Sequence, residues 1–396
     1  MGKLAAEPNP GRGAPVPALL DVARGLAMVV VLYGHALEVF FLDLPDAAVA
    51  EAAFVQYKVL AAFAMPLFFL ISGAGAARLP ERGWRSALRT SLYLVILAYL
   101  VHGLGLLVMT AETASGHGQA AGELAVYALE STLKAREFST LVVWFLVSLA
   151  IVRLLAFALF AYLPRRLALA MLGAAAVASL LTPVLPQAFM LKTWAPGIVF
   201  FGVGLALSGA LKRLDWWPAL LLAPVMAALA LSNRGCAFDL LESCPHPALT
   251  GDTAVWLHIG QIGFPPLFFL TGLLGCAVAM AFARALLLPA LAPLRIARLL
   301  GRIGTRSLDL LVINGFVLVF LQPRIGRFAP AEPELWVYPL LLVAVVGMHQ
   351  LALRLLARPL AALNRLALLI AGRLMAALFR ERDGAGSHRD AVVKPS

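Results

Sequence analysis

The chain has 396 residues, of which 62% are hydrophobic and 13% charged, and its mean hydropathy is +0.89. Soluble domains carry roughly one quarter charged residues, and a chain this apolar could not cover itself with polar groups in water, so a soluble globular fold is excluded. The net charge of +11 calls for an anionic partner, but nothing interleaves basic and aromatic residues as nucleic-acid modules do, which leaves the lipid bilayer.

The first 17 residues are rich in Pro and Gly and read as a disordered tail. Ten apolar stretches follow, at roughly 18–40, 57–77, 87–109, 141–162, 167–185, 194–211, 217–231, 254–282, 307–322 and 335–356. Each approaches the length needed to cross a hydrocarbon core about 30 Å thick as helix. Helix is the expected form because backbone polar groups in lipid must be bonded internally. The first stretch does not read as a cleaved leader. It carries Asp21, Arg24 and His35, and no small-residue cleavage site flanks it. The predicted fold class is therefore all-α, a polytopic membrane bundle of about ten transmembrane helices.

Charge fixes the expected orientation. With the N-terminus in the cytoplasm, the inner segments hold 23 of the 32 Lys and Arg residues and the outer segments 7. This alternation at every loop is the positive-inside pattern and places both termini in the cytoplasm. The predicted organisation is a cytoplasmic tail over 1–17, a membrane domain over 18–356, and a cytoplasmic amphipathic helix and tail over 357–396. In the last segment Arg358, Arg365, Arg373 and Arg380 are spaced 7, 8 and 7 apart on one helical face, opposite Leu and Ala. Such a helix suits an anionic leaflet surface. The alternative is an eleventh span over 359–379, against which Asn364, Arg365 and Arg373 argue.

Cys236 and Cys244 share one outer loop, and a disulfide and two free thiols are both open readings. Cys276 reads as packing, and no Cys/His set has metal-ligand spacing. The run Pro66-Leu67-Phe68-Phe69-Leu70 recurs as Pro266-Leu267-Phe268-Phe269-Leu270, without flanking similarity to make it a repeat.

The first helix carries the unusual chemistry. Asp21, Arg24, His35 and Glu38 fall within an arc of roughly 100° on an otherwise apolar helix. Arg24 and His35 share a face about 16 Å apart, Arg24 toward the cytoplasm and His35 toward the outer side. Charge inside a membrane helix costs about 2.5–3.5 kcal/mol on insertion scales. Asp21 and Glu38 also read as solvated flanks, and Arg24 as a snorkelling interfacial residue. His35 is the side chain best suited to moving protons near neutral pH. His102 and His258, both near outer helix ends, read as polar caps.

The segment from Leu20 to His35, with Arg24, ten residues and then His35, resembles the opening of the acyltransferase 3 family of membrane-bound acyltransferases. Met65-Pro66-Leu67-Phe68-Phe69-Leu70-Ile71-Ser72-Gly73 resembles the family's Phe-rich run ending in Ser-Gly. Trp144-Phe145-Leu146 resembles its tryptophan motif, and Phe200-Phe201-Gly202-Val203-Gly204 another helix start. Near the C-terminus the family commonly has Ser, Tyr and His. Here Ser307 is followed by Leu311 and Asn314, so that second histidine is absent.

The resemblance implies acyl transfer across the membrane. The donor would be acyl-CoA, a substrate rather than a resident cofactor, and the acceptor a hydroxyl of a cell-envelope or exported glycan, in a multi-pass protein of the inner membrane. His35 would be the general base, or form a covalent acyl-histidine. Arg24 would hold CoA phosphate or steady the polar stripe. Ser72 would line the donor path, and the basic loop Arg78–Arg89 would draw in CoA phosphates or simply obey the positive-inside bias. Trp144 would shape a pocket or anchor the helix at the interface. Asp309 is expected to pair with Arg24 or Arg153. The alternative from another class is a multi-pass transporter with its substrate site at Arg24, His35 and Asp309; a scaffold without chemistry leaves the polar stripe unexplained.

Overall fold

Proline and glycine positions decide where this chain stops being helix. The computed structural model describes residues 18–43, 48–116, 120–233, 254–288, 294–321 and 336–386. The helices are α1 (Leu19–Glu38), α2 (Ala48–Ala61), α3 (Ala64–Gly75), α4 (Gly83–Ala114), α5 (Ala121–Lys134), α6 (Val143–Tyr162), α7 (Arg165–Ala178) and α8 (Trp194–Ala206). There follow α9 (Ser208–Leu211), α10 (Trp216–Leu220), α11 (Ala223–Ser232), α12 (Pro265–Ala285), α13 (Leu294–Thr305), α14 (Ser307–Phe316), α15 (Val337–Leu355) and α16 (Ala357–Gly386). Among the described residues nine helical stretches are long and apolar enough to cross a membrane, Ala357–Phe379 of α16 among them, contrary to the reading that set 359–379 aside, or ten if the bent pair α13–α14 is one span. The chain is thus an all-α polytopic membrane bundle.

The breaks have local causes. Pro66 cannot donate to the carbonyl of Ala62, and the chain kinks between α2 and α3. Pro224 does the same opposite Leu220, dividing Trp216–Ser232 into α10 and α11. This seventh predicted span therefore falls short of the spanning length. Pro265 and Pro266 occupy the first turn of α12, where a missing N–H is harmless.

Several predicted boundaries are corrected. The second span starts at Ala50 rather than 57, so Lys58 is buried inside α2 and is not an outer-loop charge. The eighth predicted span is not α-helical before Pro265, where only the 3-10 turn Leu257–Ile259 is wound. There, Trp256 and Gln261 exchange backbone hydrogen bonds across a turn in which Gly260 takes φ +80°. Two helices went unpredicted. One is α5, between α4 and α6. The other is α13, which buries Ala297, Leu300 and Ile303 while Arg295, Arg298 and Arg302 face outward; α14 leaves it at 72°. The tail 1–17, Cys236 and Cys244 lie outside the described residues. Cys276 is buried in α12.

Small residues allow the closest helix contacts, as expected where lipid removes a hydrophobic drive between helices. A Cβ on Gly25 of α1 would overlap the Leu300 carbonyl of α13, and one on Gly304 would overlap the Asp21 carbonyl, so these two helices touch backbone to backbone. Gly73 of α3 and Gly204 of α8 form a second such pair, against the carbonyls of Phe201 and Leu70. The two Pro-Leu-Phe-Phe-Leu runs face the same core. Phe69 meets Phe145, and Phe268 and Phe269 meet Phe200.

The C-terminal α16 packs on the first turns of α4. The Tyr93 hydroxyl donates to Asn364 (2.7 Å), while Phe379 meets the ring of Trp84 and the guanidinium of Arg85. The outward side of α16 mixes Arg365 and Arg373 with Leu366 and Leu369, so the expected division of Arg from Leu is only partial.

Candidate functional site

The polar stripe of α1 resolves into two separate settings. Arg24 Nη1 lies 3.1 Å from Asp21 Oδ1, with both side chains about one-third exposed. A Cβ on Gly75 would sit 3.9 Å from Arg24 Nη2, which puts the guanidinium beside the C-terminal end of α3. The last carbonyls of a helix carry partial negative charge and favour a cation there. Ser72 belongs to the same stretch of α3, half-buried, two turns from Met65.

His35 is held differently. Its Nδ1 is 3.2 Å from both carboxylate oxygens of Glu38, one turn on along α1. Glu38 is 7% exposed and His35 22%. An Nδ1–H donated to a carboxylate leaves the lone pair on Nε2. Both residues line a cavity of about 80 Å³ with Tyr57, Trp144, Trp256 and His258. The aromatic rings form a continuous wall. Tyr57 lies 5.7 Å from Trp256, Trp256 5.8 Å from His258, and His258 6.0 Å from Trp144, centroid to centroid. Tyr57 also stands close enough to Glu38 to interact with its carboxylate.

The structure therefore brings Trp144 to His35 and keeps Arg24 and Ser72 out of that cavity. It also adds His258, which sequence reasoning read as a helix-end cap because 254–264 was taken as helix. Gly260, Gly263 and the Pro265-Pro266 pair were the available signal: together they mark a turn, and the turn folds His258 back over the cavity. His102, by contrast, is a structural tie. Its Nδ1 accepts from the Ser139 N–H (3.0 Å), and its Nε2 meets the Ser131 hydroxyl (3.1 Å).

Asp309 does not pair with Arg24 or Arg153. Its carboxylate meets Arg306 at 2.9 Å and accepts from Asn364 Nδ2 at 2.8 Å. Arg306 is three residues away on the same turn, nearer than either expected partner. The three-residue site of the transporter alternative is thus not assembled. Asn314 is 1% exposed, one turn beyond the cavity-lining Leu311, and its Nδ2 has no hydrogen-bond partner among the described residues. No group of three or more His, Cys, Asp or Glu among the described residues is arranged to hold a metal ion.

A histidine oriented by a carboxylate, within a pocket walled by aromatic rings, can take a proton from a bound hydroxyl. No curated protein and no solved structure matches the chain. The sequence model of the acyltransferase 3 family, described as an acyltransferase domain, matches residues 18–348, from the start of α1 into α15. The chain belongs to that family and is a membrane-bound acyltransferase.

Proposed function

We propose that the protein is an inner-membrane O-acyltransferase that carries an acyl group from acyl-CoA, bound at the Arg24 end, to a hydroxyl of a cell-envelope or exported glycan, bound at the His35 end. The observation that carries this reading is the Glu38–His35 pair in its aromatic cavity. The acceptor hydroxyl gives its proton to His35 Nε2 as the oxygen attacks the thioester carbon. Glu38 holds the tautomer and offsets the charge the ring acquires, as a carboxylate does behind a catalytic histidine. The rings of Trp144, Trp256 and Tyr57 offer flat apolar faces to a sugar, and His258 a polar edge.

At the other end Arg24 offers a planar fork to CoA phosphate. Ser72 lines the donor path, and Arg78–Arg89 supply further positive charge. This division needs both termini in the cytoplasm, with α16 lying along the inner leaflet across the start of α4. Reporters active only outside the cytoplasm should work when fused after residue 45, 120 or 245, and stay silent after 82 or 390. Activity after 390 would mean that α16 crosses the membrane.

The test of function is direct. Mass spectrometry of envelope glycans from cells with and without the gene should show an ester lost with the gene. The purified protein should release thiol from acyl-CoA only when acceptor is added. An unchanged glycan mass together with no thiol release overturns the assignment of donor and acceptor; solute uptake by vesicles holding the same inert protein would put the transporter in its place.

A further inference from the structure

The helix between α4 and α6 carries an apolar side where a water-facing helix would carry a polar one. On α5, Leu124 and Ser131 are buried. The Ser131 hydroxyl meets His102 Nε2 of α4 at 3.1 Å, and the Tyr99 hydroxyl of α4 donates to the Thr132 carbonyl at 3.0 Å. At about 100° per residue, Val126, Leu129 and Leu133 fall within an arc of about 60°, on the side opposite Leu124 and Ser131. They are 62%, 62% and 64% exposed. A helix that packs one face on protein and turns the other to water is polar on that second face. Here the polar residues keep to one edge. Glu123, Glu130 and Lys134 share an arc of about 40°, roughly a quarter turn from the apolar stripe. Glu130 pairs with Lys134 at 3.0 Å and with Arg136 at 2.8 Å.

The level at which α5 is tied says what covers the stripe. Tyr99 and His102 stand inside the apolar run Leu92–Met109 of α4. Beyond them, toward the end of α4, Leu104, Leu107 and Val108 are still exposed. The lipid-facing surface of the bundle therefore continues past the tie, and the last turn of α5 lies at hydrocarbon depth. The chain leaves α5 through Ala135 (φ 46°) and Glu137 (φ 48°), two left-handed residues that are not glycine. The Tyr127 hydroxyl holds this turn by donating to the Glu137 carbonyl at 2.6 Å. Ser139 then donates its N–H to His102 and fills the notch above Gly105. Immediately afterwards Leu141 and Val142 line the His35 cavity.

We propose that α5 is a membrane-inserted helix of the outer leaflet. Its stripe of Val126, Leu129 and Leu133 lies among lipid acyl chains, and its edge of Glu123, Glu130 and Lys134 faces headgroups and water. The partner is the bilayer itself: an apolar stripe bounded by charge a quarter turn away is the build of an interfacial helix. With the N-terminus in the cytoplasm, the end of α4 and the whole of α5 fall on the outer side. Inserted in this way, α5 sets the height of the cavity wall at Leu141 and Val142 relative to the membrane surface.

The test uses the full-length protein in phospholipid vesicles, with Cys236, Cys244 and Cys276 replaced by alanine and a nitroxide on one new cysteine, Leu129→Cys or Glu123→Cys. The label at 129 should collide more often with oxygen, which concentrates in hydrocarbon, than with a water-soluble nickel chelate. At 123 that order should reverse. A label at 129 as open to the chelate as the one at 123 puts the stripe in water and overturns the proposal. A label at 129 shielded from both reagents means that another protein surface covers the stripe, and overturns it as well. In intact cells a membrane-impermeant maleimide should modify Glu123→Cys. Modification only after lysis overturns the outer placement. Should the cysteine-free protein not accumulate, benzoylphenylalanine in place of Leu129 in the otherwise unchanged chain decides. Light-induced cross-links to phospholipid support insertion, and cross-links to protein alone, or none, overturn it.

Discussion

The two ends of α1 carry similar stripes of charge and are built in opposite ways. At the Arg24 end the charges are one-third exposed, and the helix is clamped backbone to backbone against α13 through Gly25 and Gly304. At the His35 end the carboxylate is buried and the surroundings are rings: Tyr57, Trp144, Trp256 and His258. An exposed guanidinium beside a helix end is suited to an anion arriving from water. An imidazole locked to a buried carboxylate is suited to exchanging one proton in a dry place. In the proposed reaction the stripe divides into a binding end and a reacting end, and each prediction below tries to break that division.

The largest effect should come from His35. His35→Gln retains hydrogen bonding but cannot take up a proton, and turnover should fall about 10²–10⁴-fold. Accumulation of the protein in the membrane should be unchanged. Full activity in this variant and in His35→Ala would remove the reacting end altogether.

The clamp comes next, and it should fail through folding. Gly25→Ala sets a methyl group against the Leu300 carbonyl, a backbone atom that cannot rotate aside. The melting temperature in detergent should drop by several degrees, and activity should fall only in step with the folded fraction. Gly347→Ala and Gly372→Ala make the same chemical change where nothing lies within 4 Å. They should be neutral or stabilising, because Ala is favoured over Gly in a helix by roughly 0.5–1 kcal/mol. Equal effects at Gly25 and at the two open sites would mean that α1 and α13 do not touch backbone to backbone.

At Arg24 the expected effect is smaller and confined to the donor. Arg24→Lys keeps the charge but loses the planar two-pronged donor, which is not a conservative change at a phosphate site. The KM for acyl-CoA should rise about tenfold, the cost of roughly one charge-assisted hydrogen bond, with the KM for the acceptor unmoved. A rise in acceptor KM instead would place the glycan at the wrong end.

How much of this could be read from the sequence follows the physics of each signal. Transmembrane stretches were legible because hydropathy over about 20 residues is a strong, local signal. That His35 and Glu38 share a helix face was legible, since residues three apart meet there, but Glu38 was read as a solvated flank and is in fact buried against His35. What was hidden lay where local and global signals conflict. The apolar residues of 254–264 looked like helix, and only the turn at Gly260 turns them into a wall of the cavity, bringing His258 with it. The three arginines of α13 looked like a cytoplasmic loop, although Ala297, Leu300 and Ile303 recur at helical spacing between them. Asp309 was assigned to distant arginines when Arg306 stood one turn away.

The smallest effect should come from the aromatic wall, and it tests which substrate that wall serves. Trp144→Phe keeps an aromatic face toward His258 but gives up the second ring and the indole N–H. Aromatic contacts of this kind are worth about 0.5–1.5 kcal/mol beyond simple burial. The acceptor KM should therefore rise roughly 2–10-fold, with kcat nearly unchanged, because ground-state and transition-state contacts with a sugar ring are lost together. The KM for acyl-CoA should stay constant, since Arg24 and Ser72 lie outside this cavity. If the donor KM rises and the acceptor KM does not, the aromatic cavity holds the acyl chain or the CoA arm. The acceptor would then approach His35 from another side, and the assignment of one end of α1 to each substrate would fail, although His35 could keep its role as base.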